Sequence, residues 1–269
     1  MKKTIEKNIQ DQIINNYVNK GYGLIKSGKE FNIGQSTVKR ILQENNIKIR
    51  NLQEANALHK EKSKMPLNDL YFQIQSHNMA YILGILASDG TVKLDRNEVK
   101  LTLERTDREL LEKIHKELNM SRPIHDYEDR KGHKNSSLVI SSSQIKADLA
   151  SYGIIPQKTF KLIFPKNLDK KYWIDYIRGF FDGDGCISQR KDGHVTFSLY
   201  CACQDFLQTI VDFLYEQYNI PKKVIYKHGN IYKVEYAKKA TEQIYHILYT
   251  KNSIYMQRKK DKFKIIFER

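Results

Sequence analysis

The chain contains no apolar run approaching the roughly 18–20 residues that a membrane-crossing helix needs. Its basic opening, MKKTIEKNIQDQ, lacks the apolar centre of a secretory signal. Both absences argue against a membrane or secreted protein. They point to a soluble one in the cytoplasm of a bacterial or phage-infected cell, or in an organelle. Cysteine is scarce: Cys186, Cys201 and Cys203 are an odd number within one short region, which excludes a disulfide framework. Together with His194 they are the element types of a zinc site, but their spacing matches no pair of zinc knuckles. Acids are also short, with 31 Asp and Glu against 46 Lys and Arg, a net charge of +15. A surplus of that size implies a polyanionic partner. Nucleic acid fits better than a membrane surface, because no long basic amphipathic helix stands out. With 40% hydrophobic and 29% charged residues, the 269-residue chain can bury a sizeable core.

Residues 1–50 read as helices with short breaks. Ile9, Ile13, Ile14 and Val18 recur at helical spacing before Gly21. Leu24, Ile25 and Phe31 suggest a second helix, NIGQ a tight turn using Gly34, and Ser36 the cap of a third helix carrying Val38, Ile41 and Leu42. The pattern resembles DNA-binding helix-turn-helix modules, which puts Gln35, Ser36, Thr37, Lys39 and Arg40 where base edges and phosphates are met. Residues 51–75, polar and lysine-rich, read as a linker.

Residues 76–269 hold an internal repeat, read as a first unit at 76–165 and a second at 166–269. YILGILASDG and YIRGFFDGDG each end an apolar helix in Asp-Gly, and Asp89 and Asp184 stand 95 positions apart. The alternation of Val99, Leu101 and Leu103 returns in Val195, Phe197 and Leu199. The order αββαββα, used twice, predicts an α+β fold with pseudo-two-fold symmetry. The helices over 79–88 and 173–183 are apolar on nearly all sides, so both should be buried. Small residues four apart, Gly84 and Ser88 in one and Gly179 and Gly183 in the other, let two backbones approach closely. Packed together, the helices deliver Asp89 and Asp184 to one place. Carboxylates forced together need neutralising, and a divalent cation such as Mg²⁺ does so with hard oxygen ligands. Paired acids in basic surroundings point to phosphodiester chemistry. Asp182 reads as a helix C-cap. An EF-hand reading of DGDG fails, because Phe180 and Lys191 fall at ligand positions.

ILGILASDG and IRGFFDGDG resemble the duplicated motif of the LAGLIDADG homing endonucleases. The resemblance implies a monomer whose two antiparallel sheets form a saddle over a long, asymmetric double-stranded DNA site. It also implies one metal-binding acid per unit, with cleavage across the minor groove to leave 3′ overhangs. Carried over, the acids are Asp89 and Asp184, further ligands are the carbonyls of Ser88 and Gly183, and the basic residues near the cut phosphate are Lys158 and Lys259. The sixth motif position is Asp182 in the second copy but Ala87 in the first. The strand residues expected to line the saddle are Lys93, Arg96, Lys100, Arg105, Arg130 and Lys131 in the first unit. In the second they are Gln189, Arg190, Lys191, Lys223, Lys227 and Lys233. The same scaffold also admits an RNA maturase that assists splicing of intron RNA, or a DNA-binding transcriptional regulator. A free-standing or intron-encoded product is expected rather than one embedded in an intein.

Overall fold

The computed structural model describes residues 5–55, 66–250 and 254–268, so the middle of the expected linker, 56–65, lies outside the described residues. The chain divides into two compact units, Met1–Met65 and Pro66–Arg269.

Among its described residues the first unit includes the helices α1 (Lys7–Val18), α2 (Leu24–Lys29) and α3 (Gln35–Glu44), and residues 52–55 are helical as well. Ile13, Tyr17, Val38, Ile41 and Leu42 make its core. Two local expectations are corrected. Ser36 does not cap α3; the helix opens at Gln35 behind Gly34, with no side-chain cap. The left-handed residue of the turn is Asn32, with φ 55°, while Gly34 is ordinary extended backbone with φ −72°. An amide side chain tolerates that conformation better than most. Asn46, Asn119 and Asn219 also follow helix ends with positive φ. Arg50 closes the unit: its backbone N–H donates to the Tyr17 hydroxyl at 2.8 Å, and its guanidinium donates to the Tyr17 and Tyr22 carbonyls at 2.9 and 2.7 Å.

The second unit is the duplicated α+β fold. In its first half, α4 (His77–Ser88) leads to strands β1 (Gly90–Val92) and β2 (Glu98–Glu104), then α5 (Arg108–Glu117), β3 (His125–Glu128), β4 (Lys134–Ser141) and α6 (Ser143–Ser151). The second half repeats this order as α7 (Trp173–Asp184), β5 (Cys186–Gln189), β6 (Val195–Cys201), α8 (Gln204–Tyr218), β7 (Tyr226–His228), β8 (Ile231–Ala237) and α9 (Lys238–Leu248). A final helix, α10 (Gln257–Phe267), follows. Each half builds an antiparallel four-stranded sheet, ordered β1-β2-β4-β3 and β5-β6-β8-β7. Val99, Leu101 and Leu103, like Phe197 and Leu199, turn inward into one hydrophobic core shared by both halves, and Val195 is buried as well. The segment from Pro66, within the span read as a linker, packs on this core, with Phe72 buried.

Two glycines set the contact between α4 and α7. A Cβ added to Gly84 would lie 2.9 Å from the Phe180 nitrogen and closer still to the Tyr176 carbonyl oxygen. One added to Gly179 would meet Ile85 nitrogen at 2.9 Å and the Tyr81 carbonyl oxygen closer still. The two environments are the same under a shift of 95 positions, so the crossing is symmetric and backbone lies on backbone. In an open helix Gly→Ala stabilises by about 1 kcal/mol. Gly179→Ala is expected to do the opposite, destabilising by about 3 kcal/mol through overpacking against backbone that cannot yield. Denaturant midpoints of the two proteins check the sign.

Candidate functional site

The crossing fixes where the two helices end. α4 stops at Ser88 and α7 at Asp184, so Ser88–Asp89 and Gly183–Asp184 emerge side by side. Gly183 faces the other helix: a Cβ there would sit 2.6 Å from Ser88 Cβ and 2.8 Å from Asp89 Oδ2. The Asp89 carboxylate therefore reaches across the pseudo-dyad into a cradle that any side chain at 183 would fill. The Ser88 hydroxyl folds back to donate to the Ile85 carbonyl at 3.0 Å.

Electrostatics reflect this crowding. Burial first, and the charge of Asp184 second, push the Asp89 carboxyl up to about 6, while Lys158 and Lys259 pull it down. Asp184 is raised as well, by burial, and opposed by the same two lysines. The lysines arrive from distant segments. Lys158 sits on a tight turn after Gln157, whose φ is +56°. It donates to the Ser88 carbonyl at 3.2 Å and to the Gly90 carbonyl. Lys259, on α10 and 6% exposed, donates to the Phe181 carbonyl at 3.4 Å and to the Gly185 carbonyl. Each ammonium thus binds carbonyl oxygens at or just past the C-terminal end of the helix that delivers an acid, where the helix dipole favours a cation. Burial holds both lysines below their ordinary range. The neighbours of Lys259 face elsewhere: Arg258 pairs with Asp107 at 2.8 Å, and Lys260 lies over the Tyr255 ring.

Asp182 is not the expected C-cap. Gly185 caps α7, and Asp182 is fully buried. Its carboxylate accepts from the Tyr81 hydroxyl at 2.7 Å, the Tyr249 hydroxyl at 2.6 Å and the Met256 backbone N–H at 2.7 Å. One turn earlier the buried Arg178 pairs with Asp175 at 2.8 Å and donates to the Ile254 and Leu248 carbonyls at 2.9 and 3.0 Å. Nothing in the sequence pattern announced these partners, which lie 67 to 101 positions away.

Strand register sorts the basic residues. On β2, Lys100 pairs with Val139 and alternates with the core-facing Val99 and Leu101, so it lies on the outer sheet face. On β8, Lys233 pairs with Tyr200 and Tyr226 on the outer face of the second sheet, ion-paired with Glu235 at 3.1 Å. Lys227 and Gln189 do not share that face: Lys227 pairs with Tyr232 and Gln189 with Val195, residues that alternate to the core side. Lys93, Arg96, Arg130, Lys131, Arg190 and Lys191 belong to the exposed hairpin turns rather than the strands, and Lys223 to the exposed segment before β7. Arg96 pairs with Asp95 at 3.2 Å, and Arg105, just past β2, lies 3.7 Å from Asp126. In the first unit, Gln35, Ser36 and Lys39 are exposed along α3 and Thr37 is half-buried, while Arg40 pairs with Glu44 at 2.8 Å.

Among the described residues no group of three His, Cys, Asp or Glu side chains is assembled for a metal. Cys201 is buried and its sulfur accepts from the Cys203 N–H, Cys186 is exposed, and the Cys203 thiol donates to the Thr159 carbonyl, so the described residues assemble no zinc set from them. A divalent ion does suit the acid pair: Asp89 and Asp184 are hard carboxylates close enough for the charge of Asp184 to raise Asp89, and Asp89 Oδ2 lies where a Cβ at Gly183 would crowd it.

Comparison with known proteins finds a curated relative, solved structures of similar chains and a matching family model. An uncharacterized protein of Methanocaldococcus jannaschii, MJ0314, is 27% identical over 205 residues, covering 74% of this chain and 73% of its own. Among solved structures, the homing endonuclease I-WcaI bound to its DNA recognition sequence is 11% identical, with a TM-score of 0.49 over 80% of this chain and 96% of that one. The meganuclease I-AabMI bound to uncleaved DNA is 12% identical (TM-score 0.48, 72% and 90% covered). The N-terminal LAGLIDADG domain of DUF199/WhiA is 14% identical (0.45, 73% and 93%). The model of the LAGLIDADG-like domain matches residues 76–152 and again 174–258, one match per half of the duplicated unit, and the chain therefore belongs to the LAGLIDADG-like domain family.

Proposed function

We propose that this protein is a sequence-specific, divalent-metal-dependent endonuclease of double-stranded DNA, of the homing type. The observation that carries the reading is the meeting of Asp89 and Asp184 at the foot of the glycine crossing, with the half-buried Lys158 and the buried Lys259 bound to carbonyls at or just past the two helix ends. Burial, and after it the charge of Asp184, raise the Asp89 carboxyl to about 6, and a structural role accounts poorly for two acids held in that setting. Asp89, Asp184 and the carbonyls of Ser88 and Gly183 are the residues that would hold Mg²⁺ or a similar ion. Bound there, such ions supply Lewis-acid polarisation of a phosphate and lower the pKa of an attacking water.

The chain's own groups do the rest. Asp89 and Asp184 orient and accept charge from opposite sides of the pseudo-dyad, one per DNA strand. Lys158 and Lys259 place an ammonium beside each acid, suited to offset charge building on a phosphate oxygen in the transition state. The outer sheet faces, with Lys100 and Lys233, the basic hairpin turns and the exposed side of α3 supply cations for phosphate contacts. The first unit would act as a helix-turn-helix module that lengthens the recognised site and adds affinity through effective concentration. The net charge of +15 supports such a partner.

The direct test is incubation of the protein with a DNA library spanning candidate insertion sites, with and without Mg²⁺. Tight binding with no cutting under any divalent ion would overturn the nuclease reading in favour of a regulator or a splicing factor.

Asp89→Asn and Asp184→Asn should each lower double-strand cleavage by about 10²–10³-fold or more, with DNA affinity nearly unchanged; single-turnover plasmid linearisation and a binding titration measure both. The same Asp89→Asn change should stabilise the metal-free protein at neutral pH. The folded-state pKa of Asp89 lies above its unfolded value, so the native protein binds more protons between the two and loses stability as pH rises through about 6. The gain should therefore be largest above pH 7 and vanish below about pH 4, as denaturation in chelator at several pH values reports. Lys39→Ala in the first unit should weaken DNA binding and reduce the slope of log K against log salt by about 1.

A further inference from the structure

The two halves hold their lysines by different means. In the first half, Lys158 belongs to a turn that follows α6 directly. In the second, Lys259 lies beyond α9 on α10, and the segment leading into α10 has to be fastened before the ammonium can be placed. α7 fastens it with two buried polar side chains one turn apart. Arg178 takes the Leu248 and Ile254 carbonyls, and Asp182 takes the Tyr249 hydroxyl and the Met256 N–H. Met256 is the residue that opens α10, three positions before Lys259. The positions equivalent to Asp175, Arg178 and Asp182 in the first half are Ala80, Leu83 and Ala87, all apolar, so among the described residues the first helix of the pair has no counterpart to this fastening.

We propose that Asp182 is a positioning residue for Lys259, and that through the Met256 N–H it serves one of the two half-sites and not the other. The inference rests on the nuclease reading only for its consequence in catalysis; its structural content stands apart from it. The carboxylate is suited to the task because it accepts from three donors at once, two hydroxyls and one amide. An Asn side chain has one acceptor oxygen and turns an NH₂ toward donors, so one or more of these bonds must break. Breaking them loosens the start of α10 and with it the reach of Lys259 to the Gly185 carbonyl. Lys158, tied to the Ser88 and Gly90 carbonyls, shares none of these bonds.

The experiment has two readouts on Asp182→Asn in the full chain. In metal-free protein without DNA, acetylation by acetic anhydride is followed at each lysine by mass spectrometry. Lys259 should become severalfold more reactive while Lys158 stays as in the parent. With DNA whose strands carry different fluorophores, nicking of one strand should slow by about 10²-fold, as expected for a displaced charged group, and the other strand should change little. Unchanged labelling of Lys259, or equal gains at both lysines, would overturn the proposal, as would equal slowing of both strands. Tyr249→Phe removes a single donor and leaves the carboxylate in place. It should raise labelling at Lys259 alone, and it decides the matter by the same criterion should Asp182→Asn fail to fold. If the parent protein cuts no DNA, the nuclease reading fails, and the labelling result still supports or overturns the role of Asp182.

Discussion

The molecule depends on two helix backbones touching where side chains would ordinarily keep them apart. Helix axes usually pack about 8–10 Å apart, and Gly84 and Gly179 remove the side chains that enforce such a gap. Everything at the foot of the crossing follows from that contact. With the helices this close, the Asp89 carboxylate reaches the Gly183 backbone, the two acids feel each other, and the carbonyls at both helix ends stand open to cations. The acids are costly to hold together without a partner, and each lysine offsets part of that cost while bonding carbonyls at or just past the helix ends, where the dipole favours a cation. The site is therefore a consequence of packing geometry before it is a consequence of chemistry.

Much of this was legible in the chain. A 95-residue repeat with Asp-Gly at the end of each apolar helix, and glycine at matching positions, is enough to place two acids together once the helices are paired. The α+β class and the repeated strand order follow from alternation at Val99–Leu103 and Val195–Leu199. Lys259 was carried over from the family pattern; its neighbours Arg258 and Lys260 are turned to Asp107 and to the Tyr255 ring.

What was not legible depends on contacts between distant residues or on register. Asp182 looked like a terminal cap because its own neighbourhood is a helix end; its donors come from three other segments. The basic residues were grouped by charge, but strand pairing decides which side of a sheet each occupies, and Lys227 differs from Lys233 for that reason alone. In the first unit, glycine was the obvious candidate for the left-handed turn residue, yet Asn32 takes that conformation. The polar staple of Arg178 and Asp182 also shows that the duplication is imperfect where it matters. The halves share their architecture but not the way each secures its lysine.

The all-round apolar character of α4 has a consequence for biosynthesis. Its mate α7 is encoded about a hundred residues downstream, so at a usual pace of about 5–20 residues per second the ribosome delivers it roughly 5–20 s later. During that interval a helix with Tyr81, Ile82, Leu83, Ile85 and Leu86 on its surface, all destined for burial, is complete but unmatched. The nascent first half must cover that face provisionally, against its own sheet or a chaperone, until the second half emerges to claim it.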